Sequence, residues 1–234
     1  MRLRLDKFLA DMRLGSRGEV KILIRQGFVT VNGTAAKDPG MTVTEADEVR
    51  TGGKPLLHRR YVYYMMNKPA GVLTATRDRK QQTVLDLLPE DIPRGIAPVG
   101  RLDKDTVGLL LLTNDGALAH RLLSPKYHVD KTYLVRTADP VTEEMVARFA
   151  GGLVLPDGTK LLEASLLISE EDPGESRVTV REGKFHQIKR MFEACGTTVT
   201  YLKRLSMGGL TLDPDLPEGA FRELTAEETL ALAI

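Results

Sequence analysis

The chain has 234 residues, of which 42% are apolar and 28% charged, a balance typical of a soluble globular protein. No apolar run approaches the roughly 20 residues needed to cross a bilayer, no apolar block of signal-peptide type opens the chain, and the single cysteine, Cys195, excludes an internal disulfide and a thiolate zinc cage. We therefore expect a cytoplasmic protein without membrane contact. Residues 1–60 contain twelve Lys and Arg but seven Asp and Glu, and this excess of positive charge favours a polyanionic partner for that part of the chain.

The head, which we define as residues 1–58, has the pattern of a compact α/β unit. Apolar residues recur at helical spacing at Leu3, Leu5, Phe8, Leu9 and Met12. Ser16 is a suitable N-cap for a second helix over 17–25, and Asn32-Gly33 predicts a two-residue hairpin. A short strand is expected within 45–50. Residues 51–55, TGGKP, break both periodicities and predict a linker or domain boundary.

Residues 59–234 predict a second, larger unit in which strands outnumber helices. Strands are expected at 61–66, 107–112, 131–136, 162–168 and 176–181, and helices at 83–88, 117–123, 142–149 and 184–195. Shorter strands are expected between the last helix and the end of the chain. Because strands and helices do not alternate strictly, we predict an α+β fold around a mostly antiparallel mixed sheet.

Positive charge in the head is concentrated on and beside its two predicted helices. The candidate RNA-binding residues there are Arg2, Lys7, Arg13, Arg17, Lys21 and Arg25. Arg17, Lys21 and Arg25 follow one another at intervals of four and therefore share a helix face. Such a row attracts phosphates, although a solvated helix face has the same pattern.

Acidic residues precede the most apolar run of the chain, in GRLDKDTVGLLLLTNDG at 100–116. Asp103 and Asp105 could bind Mg²⁺, but residues i and i+2 of an extended chain point to opposite sides and no other acidic cluster joins them. A buried carboxyl without a cation could be a general acid, and one with a cation nearby could act ionised, as nucleophile or base. A turn that caps backbone amides is the alternative without chemistry.

Two families are recognisable in these stretches. Residues 4–33, RLDKFLADMRLGSRGEVKILIRQGFVTVNG, resemble the S4 RNA-binding domain, which implies that the head binds RNA. Residues 100–114, GRLDKDTVGLLLLTN, resemble the signature of the RsuA-type pseudouridine synthases. Further motifs of that family resemble YYMMNKPAGVLT at 63–74, KTYLV at 131–135 and EGKFHQIKRMF at 182–192.

The resemblance implies a role for four residues of the second unit. Asp103 would be the catalytic aspartate that assists detachment of uracil from C1′ before C5 is rejoined, either by attack on the base or through a glycal. Tyr133, otherwise an ordinary strand residue, would stack on the flipped base, with proton transfer ranked second because its unperturbed pKa lies near 10. Lys189 would pair with Asp103, although Arg190 is an alternative partner. Arg101 would fill the gap left by the flipped base.

The function expected from this resemblance is isomerisation of a uridine in ribosomal RNA by a monomer without cofactor or metal. The chain ends soon after 208–228 without the basic extension of some relatives that modify 23S rRNA, which favours 16S rRNA or a small-subunit assembly intermediate as substrate. The same chemistry on 23S rRNA, a non-catalytic RNA-binding assembly module and a metal-dependent nuclease using Asp103 and Asp105 remain alternatives.

Overall fold

A computed structural model of the protein describes residues 2–12, 14–56, 61–172 and 174–232, and the chain divides into two units. The first unit comprises Met1–Val62 and Leu88–Ile96, and the second comprises Tyr63–Leu87 and Ala97–Ile234. The boundary expected between residues 58 and 59 lies outside the described residues.

The first unit contains two helices and short strands. Its elements are β1 (Leu3–Arg4), α1 (Leu5–Asp11), α2 (Arg17–Arg25), β2 (Val29–Val31), β3 (Thr34–Ala35), β4 (Thr42–Val43), β5 (Val49–Thr51) and β6 (Lys54–Leu56). The helix predicted over 17–25 is confirmed. The linker predicted over 51–55 is wrong, because β5 and β6 pair antiparallel and Gly52-Gly53 turns between them. Two glycines with positive φ therefore make a hairpin there.

Local sequence signals explain how α2 and the first hairpin form. The Ser16 side chain accepts the Glu19 N–H at 3.3 Å, and the Glu19 carboxylate accepts the Ser16 N–H at 2.6 Å. Asn32 and Gly33 both adopt positive φ, as a two-residue turn between β2 and β3 requires. The apolar faces of both helices pack on β2, β4 and β5 in a core of their own.

The second unit is built around one large sheet. Its strands are β7 (Tyr63–Lys68), β8 (Ala97–Pro98), β9 (Val107–Thr113), β10 (Lys131–Thr137), β11 (Ser165–Ile168), β12 (Glu175–Val180), β13 (Val199–Met207), β14 (Leu210–Thr211) and β15 (Phe221–Glu223). Its helices are α3 (Gly116–Leu123), α4 (Glu143–Ala150), α5 (Gln187–Ala194) and α6 (Ala226–Ala231), with 3-10 turns at Val84–Leu87 and Pro125–Tyr127.

The main path of the sheet runs in the order β11-β12-β10-β13-β9-β7-β15, with β8 paired to β9 and β14 paired to β13. Within the described residues, β9 and β13 form a parallel pair and the other pairs of this sheet are antiparallel. The predicted α+β fold with a mostly antiparallel mixed sheet is confirmed. The expectation of only shorter strands after α5 is wrong, because β13 has nine residues and is the centre of the sheet. The terminal α6 was not predicted.

Strand β9 explains the apolar half of the motif at 100–116. All seven of its residues are buried, because the strand lies between β7 and β13. Gly108 has φ +97 and faces the backbone of Arg204, so that a Cβ there would collide with the Arg204 amide nitrogen at 2.9 Å and with its carbonyl oxygen. Only glycine fits that approach of the two strands.

Candidate active site

The charged half of the motif forms a tight turn just before β9. Residues 104 and 105 are in the turn, and the Thr106 N–H donates to the Asp103 carbonyl oxygen at 3.1 Å. The segment is therefore not extended, and the expectation that the two carboxylates point to opposite sides is wrong. Asp103 and Asp105 both reach the Lys189 ammonium group, whose Nζ is 3.4 Å from Asp103 and 2.6 Å from Asp105.

The last residue of β7 and the loop after this strand hold the turn in place. The Lys68 Nζ is fully buried and donates to the carbonyl oxygens of Pro69, Lys104 and Thr106 at 3.0, 3.3 and 3.0 Å. The Gly71 N–H also donates to the Lys104 carbonyl oxygen, at 2.8 Å. Lys68 and Gly71 thus anchor the backbone on both sides of Asp105.

Thr74 fixes the residue immediately before Asp103. Its hydroxyl group donates to the Leu102 carbonyl oxygen at 2.7 Å, and its Oγ1 lies 3.2 Å from the Leu102 amide nitrogen. Sequence reasoning gave Lys68 and Thr74 no role, although both lie in the stretch 63–74 that carries a family motif. The signal available in the sequence was the family motif itself, because polar residues at the end of an apolar segment also occur at ordinary surface turns.

Burial and ion pairing shift the pKa values of Lys68, Lys189 and Asp105. Burial lowers the pKa of Lys68 to about 8, although the carboxylates of Asp105 and Asp103 oppose that shift. Burial also disfavours the charge of Lys189, but hydrogen bonds and Coulomb attraction from Asp105 and Asp103 outweigh it and raise its pKa. The hydrogen bond from Lys189 lowers the pKa of Asp105. Lys189 and Asp105 therefore form a charged pair at neutral pH.

The loop before α5 brings a histidine to Asp103. His186 has φ +48, a left-handed conformation that is uncommon outside glycine, and its Nε2 lies 3.5 Å from Asp103 Oδ1. Its ring stacks on that of Phe185. His186 therefore lies in contact range of the Asp103 carboxylate.

An open cleft of about 460 Å³ joins the predicted residues of the second unit. Its lining includes Arg101, Asp103, Tyr133, His186 and Lys189. Tyr133 is 9% exposed on β10 and pairs with Val178 of β12 and Arg204 of β13, so the sheet forms the cleft floor at this point. Arg101 is exposed, which leaves its side chain accessible to a bound molecule. Arg190 pairs with Asp157 instead of Asp103.

Next to Tyr133 in the sheet, β13 carries a buried cation, Arg204, which is 2% exposed. Its Nε donates to the Leu109 carbonyl oxygen at 2.7 Å, which ties β13 to β9 beyond their backbone pairing. Among the described residues, its Nη2 has no hydrogen-bond partner. Arg204 therefore links the strand that follows Asp103 to the strand beside Tyr133.

The candidate RNA-binding residues of the head lie in the first unit. Arg2, Lys7, Arg17 and Arg25 are exposed and Lys21 is half-buried, whereas Arg13 lies outside the described residues. The described part of the chain contains no group of three or more His, Cys, Asp and Glu side chains that could hold a metal ion. Nor does any helix described there have the length and apolar character needed to span a membrane.

Comparison with known proteins adds a family to this geometry. Residues 62–194 match the family model of RNA pseudouridylate synthases, and residues 3–49 match that of S4 domains. An uncharacterised RNA pseudouridine synthase of Bacillus subtilis is 50% identical over 230 residues, with 97% of this chain and 96% of the relative covered. The ribosomal small subunit pseudouridine synthase A of Escherichia coli is 40% identical over 227 residues, with 97% and 98% covered.

Comparison with solved structures leads to the same family. A crystal structure of a pseudouridylate synthase matches 99% of this chain with 100% of its own, at 38% identity and a TM-score of 0.70. The relatives and the solved structure therefore cover both units. The chain belongs to the RNA pseudouridylate synthases of the RsuA type that carry an S4 domain, and it is an RNA pseudouridine synthase, an isomerase.

Proposed function

We propose that this enzyme converts a uridine of small-subunit ribosomal RNA, 16S rRNA or a small-subunit assembly intermediate, to pseudouridine. The observation that carries the proposal is the meeting of Asp103, Tyr133 and Lys189 in one cleft of the second unit. The ribosomal substrate is supported by relatives named ribosomal small subunit pseudouridine synthase A. We further propose that it acts as a monomer in the cytoplasm, the compartment that its single cysteine favours.

The reaction needs no donor or acceptor of groups or electrons. The bond between N1 and C1′ breaks, the base rotates, and a bond forms between C5 and C1′; C5 then loses a proton and N1 gains one. A carboxylate, a stacking ring and a fixed cation are sufficient chemistry for these steps. RNA mass therefore stays unchanged.

Each cleft residue receives a role from its position. Asp103 would react through its carboxylate, which lies 3.4 Å from the Lys189 ammonium group. Tyr133 would stack on the flipped base, and its hydroxyl group is available for a proton transfer. Arg101, exposed at the cleft, would occupy the space that the flipped base leaves in the RNA stack. The basic residues of the head would contact RNA phosphates, with Arg17, Lys21 and Arg25 on one face of α2.

The test compares the enzyme with Asp103→Asn on deproteinised 16S rRNA, deproteinised 23S rRNA and small-subunit assembly intermediates. Pseudouridine is mapped by carbodiimide-dependent primer-extension stops. We expect one stop in the small-subunit substrates, no stop with Asp103→Asn, and a normal stop with the exposed control Asp91→Asn. A stop in 23S rRNA alone would contradict the proposed substrate, and an unchanged stop with Asp103→Asn would contradict the role of the carboxylate.

The same assay addresses the nuclease alternative. Product formation should be insensitive to EDTA, and the RNA should remain full-length on a denaturing gel. Shortened RNA, with a cleavage that EDTA abolishes and Mg²⁺ restores, would favour a metal-dependent cleavage by Asp103 and Asp105 instead.

A further inference from the structure

Phe185 is an exposed aromatic side chain next to the cleft. It is 71% exposed, although its neighbours Lys184 and His186 line the cleft. One face of its ring stacks on the His186 ring, with the centroids 3.8 Å apart and the planes at 18°. A single exposed apolar side chain is ordinary at a protein surface, but this ring lies beside the cleft and stacks on His186, a residue of the cleft lining.

The loop that carries Phe185 is held by hydrogen bonds at both ends. The buried Gln187 side chain donates to the Glu182 carboxylate at 3.0 Å and accepts the Lys184 N–H at 3.0 Å. The same Glu182 carboxylate accepts the Leu162 N–H at 2.9 Å. The loop is therefore a built structure that presents Phe185 outwards.

His186 connects this ring to the chemistry. Its Nε2 lies 3.5 Å from Asp103 Oδ1, so the stacked rings of Phe185 and His186 begin at the carboxylate and extend out of the cleft. We call these two rings the aromatic platform. A planar group that lies on the free face of Phe185 would be close to whatever occupies the position beside Asp103.

We propose that the aromatic platform binds an unpaired RNA base adjacent to the target uridine, by stacking on the free face of Phe185. This inference rests on the proposed function. A flat ring accepts any base, because every base has a π-face. Arg101 is exposed at the same cleft, and this cation favours a polyanion over an apolar protein surface, whereas the nearby Lys184 pairs with Glu182.

The scarcity of aromatic residues strengthens the assignment. The chain has six Tyr, six Phe and no Trp. Tyr133 is needed inside the cleft for the flipped base itself. Phe185 is positioned to hold the neighbouring nucleotide, which would keep the RNA open while the uridine is out of its stack.

The test compares Phe185→Leu, which keeps an apolar side chain but removes the π-face, with Phe185→Tyr, which keeps the ring. Tyr127→Leu is the control, since Tyr127 is also exposed in the second unit but does not line the cleft. Affinity for deproteinised 16S rRNA is measured in the Asp103→Asn background, and KM and kcat are measured in the active enzyme. The thermal unfolding midpoint shows that each variant is folded.

We expect Phe185→Leu to raise both Kd and KM about tenfold while kcat changes less than about twofold. Phe185→Tyr and Tyr127→Leu should have the same Kd as Asp103→Asn alone and the same KM and kcat as the unsubstituted enzyme. Unchanged Kd and KM in Phe185→Leu would overturn the inference. So would a fall in kcat alone, because Phe185 would then act through His186 on Asp103 and not on the RNA.

Two further outcomes separate this inference from others. If the unsubstituted enzyme forms no pseudouridine in any ribosomal substrate, the proposed function itself fails. If Phe185→Leu weakens only binding to small-subunit particles and leaves binding to deproteinised RNA unchanged, the platform contacts a ribosomal protein, and stacking on a base is wrong.

Discussion

Lys189 is shared unequally between two carboxylates of one turn. Its Nζ lies 2.6 and 2.8 Å from the two oxygens of Asp105 but 3.4 Å from Asp103. Asp105 is largely exposed, whereas Asp103 is half-buried. The exposed carboxylate therefore holds the ammonium group in place, and the half-buried one remains available for a reaction while a cation stays close to it.

Replacing Lys189 by Met should lower kcat by about 10²-fold, because the fixed charge beside Asp103 is lost. Lys189→Arg should retain most of the activity, since it restores the charge. Asp105→Asn is the matched comparison and should change kcat less than about tenfold, because Lys189 can then pair with Asp103 alone. Initial rates of pseudouridine formation measure all three. Equal losses in Asp105→Asn and Lys189→Met would contradict this expectation, because Lys189 would then depend on Asp105 for its place beside Asp103.

Lys68 should give the protein a distinctive pH dependence of stability. Burial lowers its pKa to about 8 from an ordinary 10.5, so between these values the unfolded chain binds more protons than the folded one. The free energy of unfolding should consequently rise with pH in this window, by at most about 1.4 kcal/mol per pH unit. Below about pH 8 both states are protonated and the contribution is constant.

Urea unfolding of the unsubstituted protein and of Lys68→Met, measured from about pH 7 to 10, tests this sign. The free energy of unfolding of the unsubstituted protein, relative to that of Lys68→Met, should increase as pH rises. Every other titrating group is common to both and cancels. A difference that is flat, or that falls with pH, would mean that the folded protein does not disfavour the charge of Lys68.

Gly108→Ala should lower the free energy of unfolding by more than about 2 kcal/mol. A Cβ at this position combines a strained positive φ with a collision against the backbone of Arg204. Gly116→Ala is the control, because a Cβ at the start of α3 meets open space and should leave stability unchanged or up to about 1 kcal/mol higher. Equal stabilities of the two variants in urea would contradict the close approach of β9 and β13.

The charged face of α2 should be visible in the salt dependence of RNA affinity. Lys21→Gln combined with Arg25→Gln removes two cations that share a helix face, and should flatten the plot of log K against log salt by about 0.7 for each phosphate that is no longer neutralised. Lys54→Gln, in the β5–β6 hairpin of the same unit, should leave the slope unchanged. A slope that stays the same in the double variant would assign RNA binding to another surface.

Sequence reasoning identified the fold class because periodic segments such as 17–25 and 107–112 bury one side or all of their residues. It also named Asp103, Tyr133 and Lys189, which lie in three separate stretches but line one cleft. What it missed depends on contacts between distant residues. The turn at Asp105 and the anchoring by Lys68 follow from how 63–74 packs beside 100–106, and no local pattern specifies that packing.

The same reason explains the errors at 51–55 and after α5. Glycine pairs break helical and strand patterns alike, and only the pairing of β5 with β6 shows that Gly52-Gly53 closes a hairpin. Strand β13 carries charged residues at Lys203 and Arg204, which interrupt its apolar pattern and favoured shorter strands, although Arg204 is buried and donates to the Leu109 carbonyl oxygen.

The central position of β13 in the sheet also affects the order in which the protein folds during its synthesis. Because the strand lies between β9 and β10, the strand that follows Asp103 and the strand that carries Tyr133 have no common support until residue 207 has been made. During synthesis the first 62 residues leave the ribosome well before that point. A nascent chain therefore acquires its nucleic-acid-binding part early and its catalytic competence among the last steps of its synthesis.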